Sequence, residues 1–132
     1  MTYKVLIVDD SKLARMSIAR TLTTLQPDWT RVEATSADEA ITRLTEEHAD
    51  IALLDFNMPG RDGLALAEQL QALKPDMPVA LISANIQDEI VTRAREAGAA
   101  FLPKPLTAQA LADFLAGAQL RLRPSRGSIR QL

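Results

Sequence analysis

Lys4-Val5-Leu6-Ile7-Val8 runs straight into Asp9-Asp10. An aliphatic run with no polar alternation reads as a strand covered on both faces. The two acids put charge where that strand leaves the core. Working outward, the same pattern recurs. Ile51-Ala52-Leu53-Leu54 ends in Asp55, and Ala100-Phe101-Leu102-Pro103 ends in Lys104-Pro105. Carboxylates gathered at one sheet edge repel. At ~4 Å and an effective dielectric near 20, each pair costs about 4 kcal/mol. A cation relieves that repulsion, so the pattern predicts a metal ion, a lysine, or both.

Between and beyond these strands the signals alternate five times. Val79 to Ile82 is a further short aliphatic strand, and Arg31 to Thr35 a more polar one suited to an edge. Ala14, Ile18, Leu22 and Leu25 make one apolar stripe over 11–25. Ser36-Ala37-Asp38-Glu39 is a capping-box sequence opening a helix to about Glu47. Segment 64–73 precedes Pro75, and segment 87–97 precedes Gly98, a suitable residue just past a helix end. Thr107 is a good N-cap for a last helix using Leu111, Phe114 and Leu115. Strand–helix alternation with short links means a parallel sheet wrapped by helices. Five units suggest a single α/β domain with the flavodoxin-like (βα)5 order 2-1-3-4-5. Ligands in such sheets bind beyond the carboxyl ends of the strands, where Asp9, Asp10, Asp55, Ser83 and Lys104 fall.

The bulk numbers bound the possibilities. With 132 residues the chain supports one domain with a real core. A net charge of −2 gives no global argument for nucleic acid. Cysteine is absent, which excludes disulfides and thiolate metal sites. No apolar run approaches the ~20 residues of a membrane span, and Met1 does not begin a charged, apolar-core leader. The expectation is a cytoplasmic protein. After Asp113 there is no acid, while Arg121, Arg123, Arg126 and Arg130 stand beside Pro124 and Gly127. A domain over 1–119 and a flexible basic tail over 120–132 are therefore expected.

Taken together, Asp9-Asp10, Asp55 followed by Asn57-Met58-Pro59-Gly60 and Asp62-Gly63, Ser83-Ala84, and Lys104-Pro105 resemble the receiver domain of two-component response regulators. The resemblance covers about residues 3–118. The strand order is shared by that family and is partly carried by the resemblance. It implies that Asp55 accepts a phosphoryl group and becomes an acyl phosphate. It implies Mg²⁺ held by Asp10, Asp55 and the Asn57 backbone carbonyl, with Asp9 acting mostly through a metal-bound water. Lys104 would pair with Asp55 and then with phosphoryl oxygens, its bond to Pro105 being often cis in the family. Ser83, where threonine is common, would donate its hydroxyl. Phe101 occupies an aromatic switch position where tyrosine is frequent. Asn57 and Asn85 would tune how fast water reaches the phosphoryl group, and Phe56 could shield it.

The resemblance also implies partners. A histidine kinase or histidine phosphotransfer protein would supply the phosphoryl group. A downstream protein would dock on the face of the fourth helix, fifth strand and fifth helix, and a homodimer through that face is compatible with the sequence. The expected module signals by docking, as a stand-alone receiver or as a piece of a longer regulator, and is not a turnover enzyme. A Mg²⁺-dependent phosphatase similar to haloacid-dehalogenase-like proteins would want an acid two residues past its nucleophile, where Asn57 offers no proton to a leaving group. The Arg-rich tail lacks interleaved aromatics, so it offers non-specific nucleic-acid affinity at most. His48 is the one histidine, which argues against a Ser-His-Asp triad or a histidine-based metal site. Trp29, after Pro27-Asp28, is expected to anchor a loop.

Overall fold

The computed structural model describes residues 1–122. Five strands alternate with five helices: β1 Lys4–Val8, α1 Lys12–Leu25, β2 Thr30–Ala34, α2 Ala37–Glu46, β3 Ile51–Asp55, α3 Gly63–Leu73, β4 Val79–Ser83, α4 Asp88–Glu96, β5 Ala99–Pro103 and α5 Ala108–Leu122. The strands form one parallel sheet in the order β2-β1-β3-β4-β5. The chain thus has the flavodoxin-like fold expected from its alternation. α5 runs to Leu122, past the expected boundary at 119, and the remainder of the basic tail (123–132) lies outside the described residues. No helix among the described residues is long and apolar enough to cross a membrane.

The unbroken aliphatic strands are explained by a core on each face. Successive strand side chains point to opposite faces. Val5 and Ile7, Ile51 and Leu53, and Ala80 and Ile82 pack with Ile18 and Leu22 of α1 and Leu111 and Leu115 of α5. Leu6 and Val8, Ala52 and Leu54, and Val79 and Leu81 pack instead with residues of α2, α3 and α4. β3 and β4 are buried throughout, whereas the edge strand β2 exposes Thr30 and Arg31. A polar residue at a central strand's end is therefore held by a rigid, dry frame.

The helix starts follow from their caps. Ser11, Ser36, Asp62 and Thr107 each accept a backbone N–H three residues on, at 3.2, 3.0, 2.8 and 3.0 Å. The expected capping box at Ser36 forms in a variant way: Glu39 reaches back to the Thr35 amide, at 2.6 Å, one residue before the cap. Gly98 closes α4 at φ +74, a conformation that L side chains disfavour. Trp29 meets Tyr3 edge to face, with ring centroids 5.1 Å apart.

Candidate functional site

The strand order reverses direction at β1, whose neighbours are β2 and β3. The crevice beyond the carboxyl ends there is the natural ligand position in a doubly wound sheet. Asp9 and Asp10 leave β1 at this point, and Asp55 is the last residue of β3. One carboxylate oxygen from each lies within 4.8 Å of the others. Asp9 and Asp55 are buried, while Asp10 is exposed.

Lys104 crosses from β5 to this cluster. Its Nζ donates to Asp55 Oδ1 at 2.6 Å, an ion pair whose acid is 5% exposed and whose lysine is 35% exposed. The Lys104–Pro105 peptide bond is cis. The Lys104 amide donates to the Ser83 carbonyl at 3.0 Å, fastening the lysine's backbone to the end of β4. Ser83 is fully buried, and its hydroxyl oxygen accepts the Asn85 amide at 2.9 Å. The structure thus gathers Asp9, Asp10, Asp55, Ser83 and Lys104 at one end of the sheet. Asn57 is exposed in the loop two residues beyond Asp55, and Phe101 is half-buried on the edge strand β5, in register with Leu81. His48 is exposed before β3, at the other end of the sheet, and bonds Asp50 at 2.6 Å.

Burial pushes the Asp9 carboxyl above its ordinary pKa. The Ser11 amide, which donates to Asp9 Oδ1 at 2.9 Å, opposes that shift; the Asp55 charge adds to it, Lys104 opposes it, and Asp10 adds slightly. Three acids answered by one lysine leave negative charge uncompensated, and every side-chain donor offered is oxygen. That donor set suits a hard divalent cation.

Two supporting residues have roles that the sequence pattern did not show. Gly63 opens α3 against the end of β3. A Cβ there would lie 2.2 Å from the Asp55 carbonyl oxygen and 2.8 Å from Leu81 Cδ1. Arg15 reaches back from α1 and donates to the Asp9 carbonyl at 2.8 Å. Only side-chain-free backbone fits at the first position, and only a long donor spans to the second.

Acids and a lysine at the switch point of a 2-1-3-4-5 sheet define a class: a doubly wound α/β module built around an acidic pocket. Residues 5–116 match the family model described as the response regulator receiver domain, and the chain belongs to that family. It is 43% identical over 110 residues to the protein-glutamate methylesterase/protein-glutamine glutaminase of Methylobacillus flagellatus, covering 80% of this chain and 30% of that protein. It is 38% identical over 132 residues to the positive alginate biosynthesis regulatory protein of Pseudomonas aeruginosa, covering 97% and 50%. The chain spans half or less of the length of these two curated relatives. A receiver domain protein from Clostridium thermocellum superposes with a TM-score of 0.82 at 25% identity, covering 90% of this chain and 95% of that one. The chemotaxis protein CheY4 of Vibrio cholerae shares the fold, with a TM-score of 0.79 at 23% identity, covering 89% and 99%.

Proposed function

We propose that Asp55 is the phosphoacceptor and that the chain relays a signal by carrying an aspartyl phosphate. The observation that carries this reading is the Lys104–Asp55 pair at 2.6 Å inside a cluster of three acids. An Asp55 oxygen forms a bond to phosphorus as the bond from phosphorus to a donor imidazole nitrogen breaks, and the electron pair leaves with the imidazole. The protein's task in such a transfer is positioning and charge compensation. Asp9, Asp10, Asp55 and the Asn57 carbonyl would hold Mg²⁺, which offsets charge between the incoming phosphoryl group and the acids. The Lys104 ammonium exchanges its ion pair with the Asp55 carboxylate for one with a phosphoryl oxygen. Ser83 keeps a hydroxyl proton to donate while its oxygen is held by the Asn85 amide. Phe56, half-buried beside Asp55, limits the approach of water, and Asn57 and Asn85 flank that approach.

The output follows from the same contacts. Drawing the Ser83 hydroxyl toward a phosphoryl group moves the loop to α4, and Phe101 takes the space released. The α4-β5-α5 face then changes shape for its partner. Reversing a 1:99 population needs about 5.5 kcal/mol of differential interaction, a demand that a group of charge about −1.5 to −2 can meet only in a dry site. A cleft of about 430 Å³ on this face, bordered by Arg95, Ala100, Phe114 and Arg121, gives a partner a place to dock. A histidine kinase or phosphotransfer protein is the donor, acting in the cytoplasm. The shares of relatives covered also favour a second arrangement, in which the same module forms part of a longer regulator.

The test is to treat the chain with Mg²⁺ and acetyl phosphate and measure intact mass. A gain of one phosphoryl group is expected in the wild type and none in Asp55→Asn. Labelling that persists in Asp55→Asn would move the acceptor elsewhere. Loss of the phosphorylation-dependent partner affinity is expected for Ser83→Ala.

A further inference from the structure

We infer that Arg15 is a positioning residue for the divalent-cation site, acting through the backbone peptide between Asp9 and Asp10. The inference rests on the reading of Asp9, Asp10 and Asp55 as cation ligands. Arg15 sits in the first turns of α1, where its own amide donates to the Ser11 carbonyl at 3.0 Å. Its guanidinium turns back over the helix start. Nη1 donates to the Asp9 carbonyl at 2.8 Å, and Nε donates to Glu33 Oε1 on β2 at 3.0 Å. Glu33 Oε2 accepts in turn from Arg31 Nε at 3.3 Å. The Arg15 side chain is only 13% exposed.

The Asp9 carbonyl belongs to the peptide plane that contains the Asp10 nitrogen, because the peptide bond is rigid. Fixing that oxygen therefore fixes the direction in which Asp10 leaves the strand. Asp9 is already held by its amide, which donates to the Ala34 carbonyl at 3.1 Å, and by its carboxylate, which accepts the Ser11 amide. Asp10 is exposed and takes its direction from the backbone. Arg15 completes the clamp, and Glu33 aims Arg15. A planar fork is required because two acceptors on different elements must be met at once, and a lysine head cannot do so in that geometry.

Position and charge predict opposite signs here. A positive side chain near three acids should weaken cation binding, so deleting it on charge grounds alone would tighten binding. Deleting a positioning contact should loosen binding, and outer contacts of this kind are worth about 10–100-fold in metal affinity. The experiment is calorimetric titration of the full chain with Mg²⁺, without any phosphodonor, for the wild type, Arg15→Met, Arg15→Lys and Glu33→Gln. Arg15→Met should bind about 10-fold more weakly or worse, with Arg15→Lys and Glu33→Gln between it and the wild type. Acetyl phosphate labelling of Asp55 should need more Mg²⁺ for half-maximal rate and reach a similar plateau. Unchanged or tighter binding by Arg15→Met, with or without lower thermal stability, overturns the inference. If Arg15→Met does not fold, Arg15→Lys decides, because it keeps the charge and loses the fork: weaker binding supports the clamp and unchanged binding overturns it. A wild type that takes up no Mg²⁺ overturns the underlying reading as well.

Discussion

Asp9 holds a carboxyl group where water barely reaches, at 3% exposure. Because its folded pKa is raised, the folded protein binds this proton more readily than the unfolded chain. Stability therefore falls, through this group, as pH rises from the unfolded value through the raised folded one. In metal-free buffer at pH 7, Asp9→Asn should raise the urea midpoint, since the oxygen that accepts the Ser11 amide is kept and the buried charge is lost. The gain should vanish below about pH 3.9, where Asp9 is protonated in both states. A lowered midpoint at pH 7 would refute this account of Asp9. Gly63 sets a second residue-scale expectation. Gly63→Ala should cost about 1–3 kcal/mol in urea unfolding, as overpacking does, because the Asp55 carbonyl and Leu81 must both give way. Gly60→Ala meets open space at φ +77 and should cost only the left-handed strain, about 1–2 kcal/mol, without slowing phosphorylation. Equal slowing by both substitutions would mean that contact with β3 is not what matters at Gly63. Gly60 serves a left-handed backbone turn that glycine adopts freely, whereas the need for Gly63 arises from how α3 lands on β3, a contact between elements that local residue preferences do not encode. Arg15 was hidden for the same reason: its partners lie just past β1 and on β2.

Among the elements, α4 is the least anchored. Only Ala94 of its nine residues is fully buried, and its N-cap, Gln87, makes no side-chain cap bond. α3 buries Gly63, Leu64, Leu66, Ala67 and Leu70 and is capped by Asp62. Local opening should follow that difference, so α4 amides should exchange with deuterium faster than those of α3. Gln87→Ser supplies the missing acceptor for an orphan helix N–H and should stabilise the protein by about 1 kcal/mol. It should also slow exchange across α4. Exchange that is equally slow in α3 and α4 before the substitution would remove the argument that α4 is poised to move. The elements themselves were largely legible because the strands are short aliphatic runs and the helix starts at Ser36 and Thr107 carry readable caps, while the caps at Ser11 and Asp62 emerge in the fold. What periodicity could not give was coverage. Ile90 and Val91 mark the inner side of α4 correctly, yet both remain half-buried, because how deeply a helix seats depends on its neighbours. β5 likewise extends to Ala99 and Pro103 beyond its apolar centre, since pairing with β4 rather than hydrophobicity sets its ends.

At the scale of the whole molecule, two cores clamp the central strands from opposite faces and leave their acidic ends crowded together. The same rigidity that aligns the carboxylates prevents them from separating to relieve repulsion, so the folded state carries a standing electrostatic cost that the unfolded chain does not. A cation that binds only the assembled cluster must therefore stabilise the fold as a whole. At 100 times its dissociation constant the linkage is worth about 2.7 kcal/mol, whatever the details of coordination. For a domain of this size that corresponds to a rise in Tm on the order of 10 °C. Differential scanning calorimetry of the wild type in excess Mg²⁺ and in EDTA should show that rise. Asp10→Asn should lose most of it, because Asp10 is exposed and its removal harms the core little while taking away a ligand. Asp9→Asn should also lose it, turning a variant that is more stable without metal into one that is less stable than the wild type with it. That crossing of stabilities separates a cation site from acids that merely tolerate each other. A Tm that is indifferent to saturating Mg²⁺ would leave Lys104 as the sole relief of the cluster, and Asp9→Asn would then remain the more stable protein in both buffers.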